Sequence, residues 1–229
     1  MKYLLNTVTL SMVLLMAVSC SDDDNSVNDQ GQVAFTMKGS NSDAGANSGR
    51  VMNDLQITSA TAAITEVELE SDNENDSTES ENEAEFEGQF MVDLLAGTSD
   101  PAFGTSEVTA QTYNELSIEF GTFLENNASL IIEGIYTNDN GEEVPFKYTL
   151  DKDLEIEIES NNSFIVSAGS LKEITAEIDF ATLFSDIDFD LADTNADGIV
   201  IVNASLNTYV YNLISQNFNA AIELEVEID

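Results

Sequence analysis

The stretch Glu173-Ile-Thr-Ala-Glu-Ile-Asp-Phe180 sets Ile174, Ala176, Ile178 and Phe180 on one side of an extended chain. Glu173, Thr175, Glu177 and Asp179 fall on the other. Successive side chains of a strand point to opposite faces, so this period of two describes a strand with one buried face and one wet face. The pattern recurs. Leu116, Ile118 and Phe120 alternate with Glu115, Ser117 and Glu119, and Leu154, Ile156 and Ile158 alternate with Glu155, Glu157 and Glu159. Ile222, Leu224, Val226 and Ile228 alternate with Glu223, Glu225 and Glu227. One-sided strands of this kind build antiparallel sheets packed on a shared core. Further strands are expected at 32–37, 54–70, 86–95, 130–137 and 143–150. Asn140-Gly141 between the last two marks a hairpin, because both residues tolerate the left-handed backbone of a tight turn. The reading is a mainly β fold, an antiparallel β-sandwich of the Ig-like or prealbumin-like kind.

One segment has a different period. Leu206, Tyr209, Val210, Leu213, Ile214 and Phe218 repeat at helical spacing behind Ser205, a suitable N-cap. A C-terminal amphipathic helix over about 205–218 should therefore pack on the sandwich, with its aromatic members facing the core. A single helical turn is expected at 181–184. The whole of 32–229 reads as one domain, interrupted at 71–85 by an acidic stretch with no apolar residue but Ala84, which reads as a mobile loop. Asp76-Ser77-Thr78 within it matches a short acceptor pattern for O-glycosylation, a tripeptide that also recurs by chance.

Charge and composition exclude much. The chain holds 44 acidic residues against six basic ones, with a formal net charge of −38, no His, no Trp and one Cys. Without a basic stripe to release counterions from phosphates, nucleic acid is a poor partner. Without His, neither Ser-His-Asp nor Cys-His catalysis can be assembled, and His-ligated zinc or haem is excluded. So acidic a chain repels itself, and salt screening over about 8 Å relieves this only in part. A saline environment or divalent cations would do more.

The lone cysteine stands at a telling place. Residues 1–19 open on Met1-Lys2-Tyr3, continue through an apolar run too short to span a bilayer, and end on Ser19. Cys20 follows, then Ser21-Asp22-Asp23-Asp24. The arrangement is that of a lipoprotein signal, cleaved before a cysteine that is then acylated, with 20–31 as an acidic linker. Each buried methylene contributes about 0.8 kcal/mol, so two or three acyl chains hold a protein durably to a membrane. The three acids resemble the export tag behind the cysteine in surface-displayed lipoproteins of the Bacteroidota type. That resemblance implies an outer-membrane protein, lipid-anchored and facing the exterior.

Three further landmarks carry a second resemblance: Phe90-Met-Val-Asp-Leu-Leu-Ala-Gly97, Gln111-Thr-Tyr-Asn-Glu-Leu-Ser-Ile-Glu-Phe120, and Phe164-Ile-Val-Ser-Ala-Gly169 leading to Asp179-Phe180. Over roughly 55–185 the chain resembles the domain of unknown function 4382 of bacterial lipoproteins. The resemblance implies a β-sandwich outside the cytoplasm and carries no activity. Where members usually have Ala-Gly-Thr-Tyr, this chain has Ala110-Gln111-Thr112-Tyr113, which puts a glycine turn at that point in question.

One motif has ligand chemistry. Asp193-Thr-Asn-Ala-Asp-Gly-Ile-Val200 places oxygen side chains Asp193, Asn195 and Asp197 at positions 1, 3 and 5 of a calcium loop. Gly198 stands at 6 and the Ile199 carbonyl at 7. Position 12 is Ala204 rather than the bidentate Glu, so Asp186, Asp188 and Asp190 are the nearest acids to complete a site within 186–204. The alternative is an Asx-rich turn without metal. Function divides similarly. The first reading is a non-enzymatic surface lipoprotein, calcium-stabilised or not, with a binding or structural role toward a glycan or protein. An exposed aromatic patch built from Tyr113, Tyr136 or Tyr148 would favour glycan binding. The alternative is a carboxylate-dependent, glycosidase-like hydrolase, which needs two carboxyls about 5–9.5 Å apart across a cleft.

Overall fold

The computed structural model describes residues 29–40, 55–71 and 84–226. The alternating stretches form β1 (Gln30–Ser40), β2 (Leu55–Glu70), β3 (Ala84–Asp93), β4 (Thr98–Asp100), β5 (Thr105–Thr109) and β6 (Thr112–Phe120). They continue as β7 (Leu130–Thr137), β8 (Glu143–Leu150), β9 (Leu154–Ile165), β10 (Leu171–Asp179), β11 (Val200–Val202) and β12 (Ile222–Val226). Two α-helices interrupt them, α1 (Phe180–Leu183) and α2 (Thr208–Asn217). The leader with Cys20, the linker to residue 28, positions 72–83 of the acidic stretch, including the Asp76-Ser77-Thr78 tripeptide, and Ile228 lie outside the described residues.

The strands make two sheets that face each other across one apolar core. The smaller sheet runs β12-β10-β1-β5. The larger runs β11-β8-β7-β2-β3-β4, with β6 also paired to β2 and β9 paired to β6. The fold is thus the expected mainly β sandwich, and most neighbours are antiparallel. Two are not: β1 lies parallel to β10, and β11 parallel to β8. A parallel pair needs a long crossover. Here β1 and β10 are separated by nearly the whole domain, so local spacing along the chain could not show the pairing.

Strand β2 organises the larger sheet. It pairs β3 along one edge, while the other edge is divided between β7, which takes Leu55–Ala62, and β6, which takes Ile64–Glu70. The register shifts between Ile57 and Ser59 and again between Ile64 and Glu66. At each bulge a threonine hydroxyl donates to the neighbouring strand, Thr58 Oγ1 to the Glu133 carbonyl (3.2 Å) and Thr65 Oγ1 to the Glu119 carbonyl (3.3 Å). An extra residue reverses the inward and outward phase. Ile57, Ala60 and Ala62 are accordingly buried before the second bulge, Val67 and Leu69 after it.

Asp179-Phe180 closes the smaller sheet. Asp179 caps α1, its carboxylate accepting from the Ala181 amide (2.9 Å) and the Thr182 hydroxyl (2.8 Å). Phe180 is fully buried, and its ring lies so close to Gly39 that a Cβ there would collide with it. Ala110-Gln111 bends into β6 without a left-handed residue, so no glycine is required. Tyr113 is buried there, its hydroxyl donating to the Thr109 carbonyl (3.0 Å).

The helix differs in detail from its sequence signature. It begins at Thr208 behind Asn207 rather than Ser205. Asn207 is left-handed (φ 54°), and its side chain accepts from the Asp193 amide (2.8 Å) while donating to the Asp193 and Ile201 carbonyls (2.9 and 2.8 Å). This clamp sets the rotation of α2. Val210, Tyr211, Ile214 and Phe218 turn inward, with Phe218 edge-on to Phe120 (5.5 Å), whereas Leu206 and Tyr209 are 52% and 63% exposed. Leu206 and Tyr209 are therefore not core residues.

Phe180→Ala should destabilise the domain by about 3–5 kcal/mol, the usual range for deleting a buried ring. Tyr209→Ser should stay within about 0.5 kcal/mol. Urea unfolding of the two variants measures both, and comparable losses would refute the assigned rotation of α2.

Candidate functional site

The alternation that buries one face of each strand makes the other face acidic. Pairing of β3, β2, β6 and β9 then aligns the acids in rows across the larger sheet. One row is Glu87–Glu66–Glu119–Glu155. The next is Glu85–Glu68–Ser117–Glu157, and a third is Glu70–Glu115–Glu159. Paired strands lie about 4.8 Å apart, so each row brings carboxylates together at close range. None of β2, β3, β6 and β9 contains a Lys or Arg. Elsewhere lysines do bridge acids: Lys38 Nζ meets Glu177 and Glu225 (both 3.2 Å), and Lys147 Nζ meets Glu133 (3.1 Å) and Glu125 (3.8 Å).

The ladder is tightest at the β2 bulge. Glu66, Glu85 and Glu87 have carboxylate oxygens within 4.8 Å of one another, the one such trio among the described residues. Hydrogen bonding to Glu87, a slight loss of hydration and the negative charge of Glu87 and Glu66 hold the exposed Glu85 carboxyl above its ordinary value of 4.5. Ser117, buried amid the rows, donates to Glu155 Oε1 (3.3 Å).

The calcium-loop residues are arranged otherwise. Asn195 Oδ1 accepts from the amides of Asp197 and Ile199 (both 2.9 Å), which occupies both lone pairs of that oxygen. The Asn195 amide donates to the Ile199 carbonyl (2.9 Å), and Gly198 takes the left-handed turn position (φ 78°). Asp193 is held through its backbone by Asn207. Asp188 accepts from the Asp190 amide (3.0 Å), and Asp190 reaches the Asp139 amide in the β7–β8 turn (2.8 Å). Asp186 takes a left-handed backbone (φ 58°). The loop is thus closed by its own Asx turn. Asp186, Asp188 and Asp190 are not gathered with Asp193 and Asp197 into one carboxylate cluster. Asn207 escaped the sequence reading because its partners lie on a different turn, though an Asn just before a helical run is a usable signal.

No aromatic patch arises from the three tyrosines considered, since Tyr113, Tyr136 and Tyr148 are all buried. Burial pushes the Tyr148 hydroxyl well above its ordinary value, against the opposing effect of its contact with Ser215 (3.5 Å). A cleft between the sheets is lined by Phe35, Met37, Val92, Thr98 and Phe103 and measures about 30 Å³, with no carboxylate in its lining. Small-molecule sites run to about 300–1,000 Å³.

The match with known families falls on these same elements. Residues 52–201, from just before β2 into β11, match the domain of unknown function (DUF4382), and the chain belongs to that family. Neither the curated proteins nor the solved structures compared with it give a match.

Two outcomes follow. Asn207→Ala should destabilise by about 1–3 kcal/mol, because it strands the Asp193 and Ile201 backbone groups at once, and thermal unfolding measures it. Glu85 binds a proton more readily folded than unfolded, so its effect on stability worsens as pH rises from about 4.5 through the folded value. Wild-type protein should thus gain stability from this group on mild acidification, and Glu85→Gln should flatten that part of the profile. An unchanged slope would remove Glu85 as its source.

Proposed function

We propose that this protein is a non-enzymatic lipoprotein of the outer membrane, acylated at Cys20 and facing outward, with a structural or binding role at the cell surface. The observation that carries this reading is the glutamate ladder on the wet face of the larger sheet. Its carboxylates follow strand register in rows across β3, β2, β6 and β9, with Glu66, Glu85 and Glu87 drawn together at the β2 bulge. A face of this kind keeps sheets of neighbouring molecules apart and calls for positive counter-charge from the medium or from a cationic partner, glycan or protein. Calcium enters this reading as counter-charge to the acidic surface, including the Asp193–Asp197 turn. The Cys20 context and the acidic residues behind it support the tether and its direction.

The anchor is tested by mass spectrometry of the native membrane-bound protein. The expected amino-terminal peptide starts at an acylated Cys20, and Cys20→Ser should release the chain from the membrane fraction. An unmodified Cys20 with the leader retained would overturn the assignment. Calcium should raise the melting temperature more than sodium chloride at matched ionic strength. Glu66→Gln combined with Glu87→Gln should shrink that difference, while Asp193→Ala with Asp197→Ala separates the turn's share. Equal shifts in calcium and sodium would dispose of divalent stabilisation.

A further inference from the structure

The chain enters the fold at one end of the sandwich, and that end has an unusual composition. The Asp29 carbonyl accepts from the Ala110 amide (2.6 Å), the Gln30 carbonyl from the Gly169 amide (2.8 Å), and the Ser170 carbonyl from the Gln32 amide (2.8 Å). The Val166 amide in turn donates to the Gln111 carbonyl (2.9 Å). These bonds gather the start of β1, the β5–β6 bend and the β9–β10 connection, which arches from the larger sheet to the smaller. In a chain with 44 acids, 30–38, 108–114 and 160–172 contain none. Ile165 and Leu171, the two shoulders of the arch, are 66% and 47% exposed, and Ser167, Ala168 and Gly169 between them are exposed as well. Lys172 follows directly.

We propose that this end, the arch 165–171 with its apolar shoulders, rests on the lipid surface that carries the chain's own anchor. The inference depends on the acylation of Cys20 proposed above. Asp29 is nine residues from Cys20, so the tether spans at most about 32 Å and holds this end, rather than the other, near the headgroups. Two apolar side chains are too little to bring a free domain to a membrane, but an intramolecular contact at high effective concentration needs only to bias orientation. Charge selects the lipid. Ser71 and Ala84, the roots of the acidic stretch, lie at the same end, since Leu69 pairs Ala84 and Gln111 Nε2 donates to Ser71 Oγ (3.1 Å). The contact therefore belongs to a zwitterionic surface and is weakened on an anionic one. The opposite end carries the Asn138–Glu142 turn together with Asp190, bonded to it.

The test uses the full acylated chain in phosphatidylcholine vesicles, with a polarity-sensitive fluorophore on Ser167→Cys or, as the distal control, Asn140→Cys. Emission at position 167 should shift to the blue and lose quenching by aqueous iodide, while position 140 stays fully quenched. Ile165→Ser with Leu171→Ser should abolish the protection, and phosphatidylglycerol in the vesicles should reduce it. All variants should still float with the vesicles. Flotation with equal quenching at 167 and 140 overturns the contact alone. Failure of the native chain to float overturns the anchor reading and the contact with it.

Discussion

Repulsion between glutamates on hydrogen-bonded neighbours is the constraint around which this molecule is built. Like charges directly opposite each other work against strand pairing by up to about 1 kcal/mol per pair. Rows such as Glu87–Glu66–Glu119–Glu155 repeat that penalty across four strands. Solvent screens exposed groups, which reduces each term without removing it. The opposing force is beneath them: Val67, Leu69, Leu116, Ile118, Phe120 and Ile156 are all buried on the other face of the same strands. At about 1.5–3 kcal/mol for each fully buried large side chain, the inner face outweighs the outer one. The sandwich is thus held by its core against its surface.

That balance explains what could be read from the chain alone. Where a strand is strictly one-sided, as at Ile174–Phe180 or Leu116–Phe120, alternation revealed both the strand and its inward face. In β2 the bulges at Thr58 and Thr65 reverse the phase twice, so the strand was visible as an apolar stretch while its inward set was not. The parallel partnership of β1 and β10 depends on register between distant segments, which no local period encodes. In α2, Tyr209 and Tyr211 both stand at plausible helical spacing. The choice between them is made by Asn207, whose hydrogen bonds reach Asp193 and Ile201.

The candidate site was legible to a different degree. The spacing Asp193-x-Asn195-x-Asp197-Gly198 serves a calcium loop and an Asx turn equally well, because both need an oxygen side chain just before a sharp turn. In the folded chain Asn195 Oδ1 accepts from two amides of its own loop, a contact that the spacing alone does not specify. The glutamate ladder shows the reverse problem. Glu115, Glu119, Glu155, Glu157 and Glu159 were visible as the wet face of strictly alternating strands. The bulges, in contrast, hid the phase of Glu66, Glu68 and Glu70, and Glu85 read as part of the acidic loop although it belongs to β3. The rows exist only once β3, β2, β6 and β9 are placed side by side.

The position of β1 links these features to attachment. It is the first described strand, yet it lies inside the smaller sheet, flanked by β10 and β5, rather than at an edge. Under the proposed anchoring, tension along the tether enters at Asp29 and runs along β1. Its bonds to Leu171–Asp179 on one side and to Thr105–Thr109 on the other then share the load in shear. An edge strand joined to a single neighbour would carry the same load on fewer bonds, since β1 pairs nine residues with β10 and five with β5. Phe35 and Met37 on this strand also reach the core, with Phe35 edge-on to Phe103 (4.9 Å), so pulling β1 free would require opening the space between the sheets. A domain whose outer face repels its neighbours gains most from cohesion of this sort, because resistance to tension must come from within the sandwich.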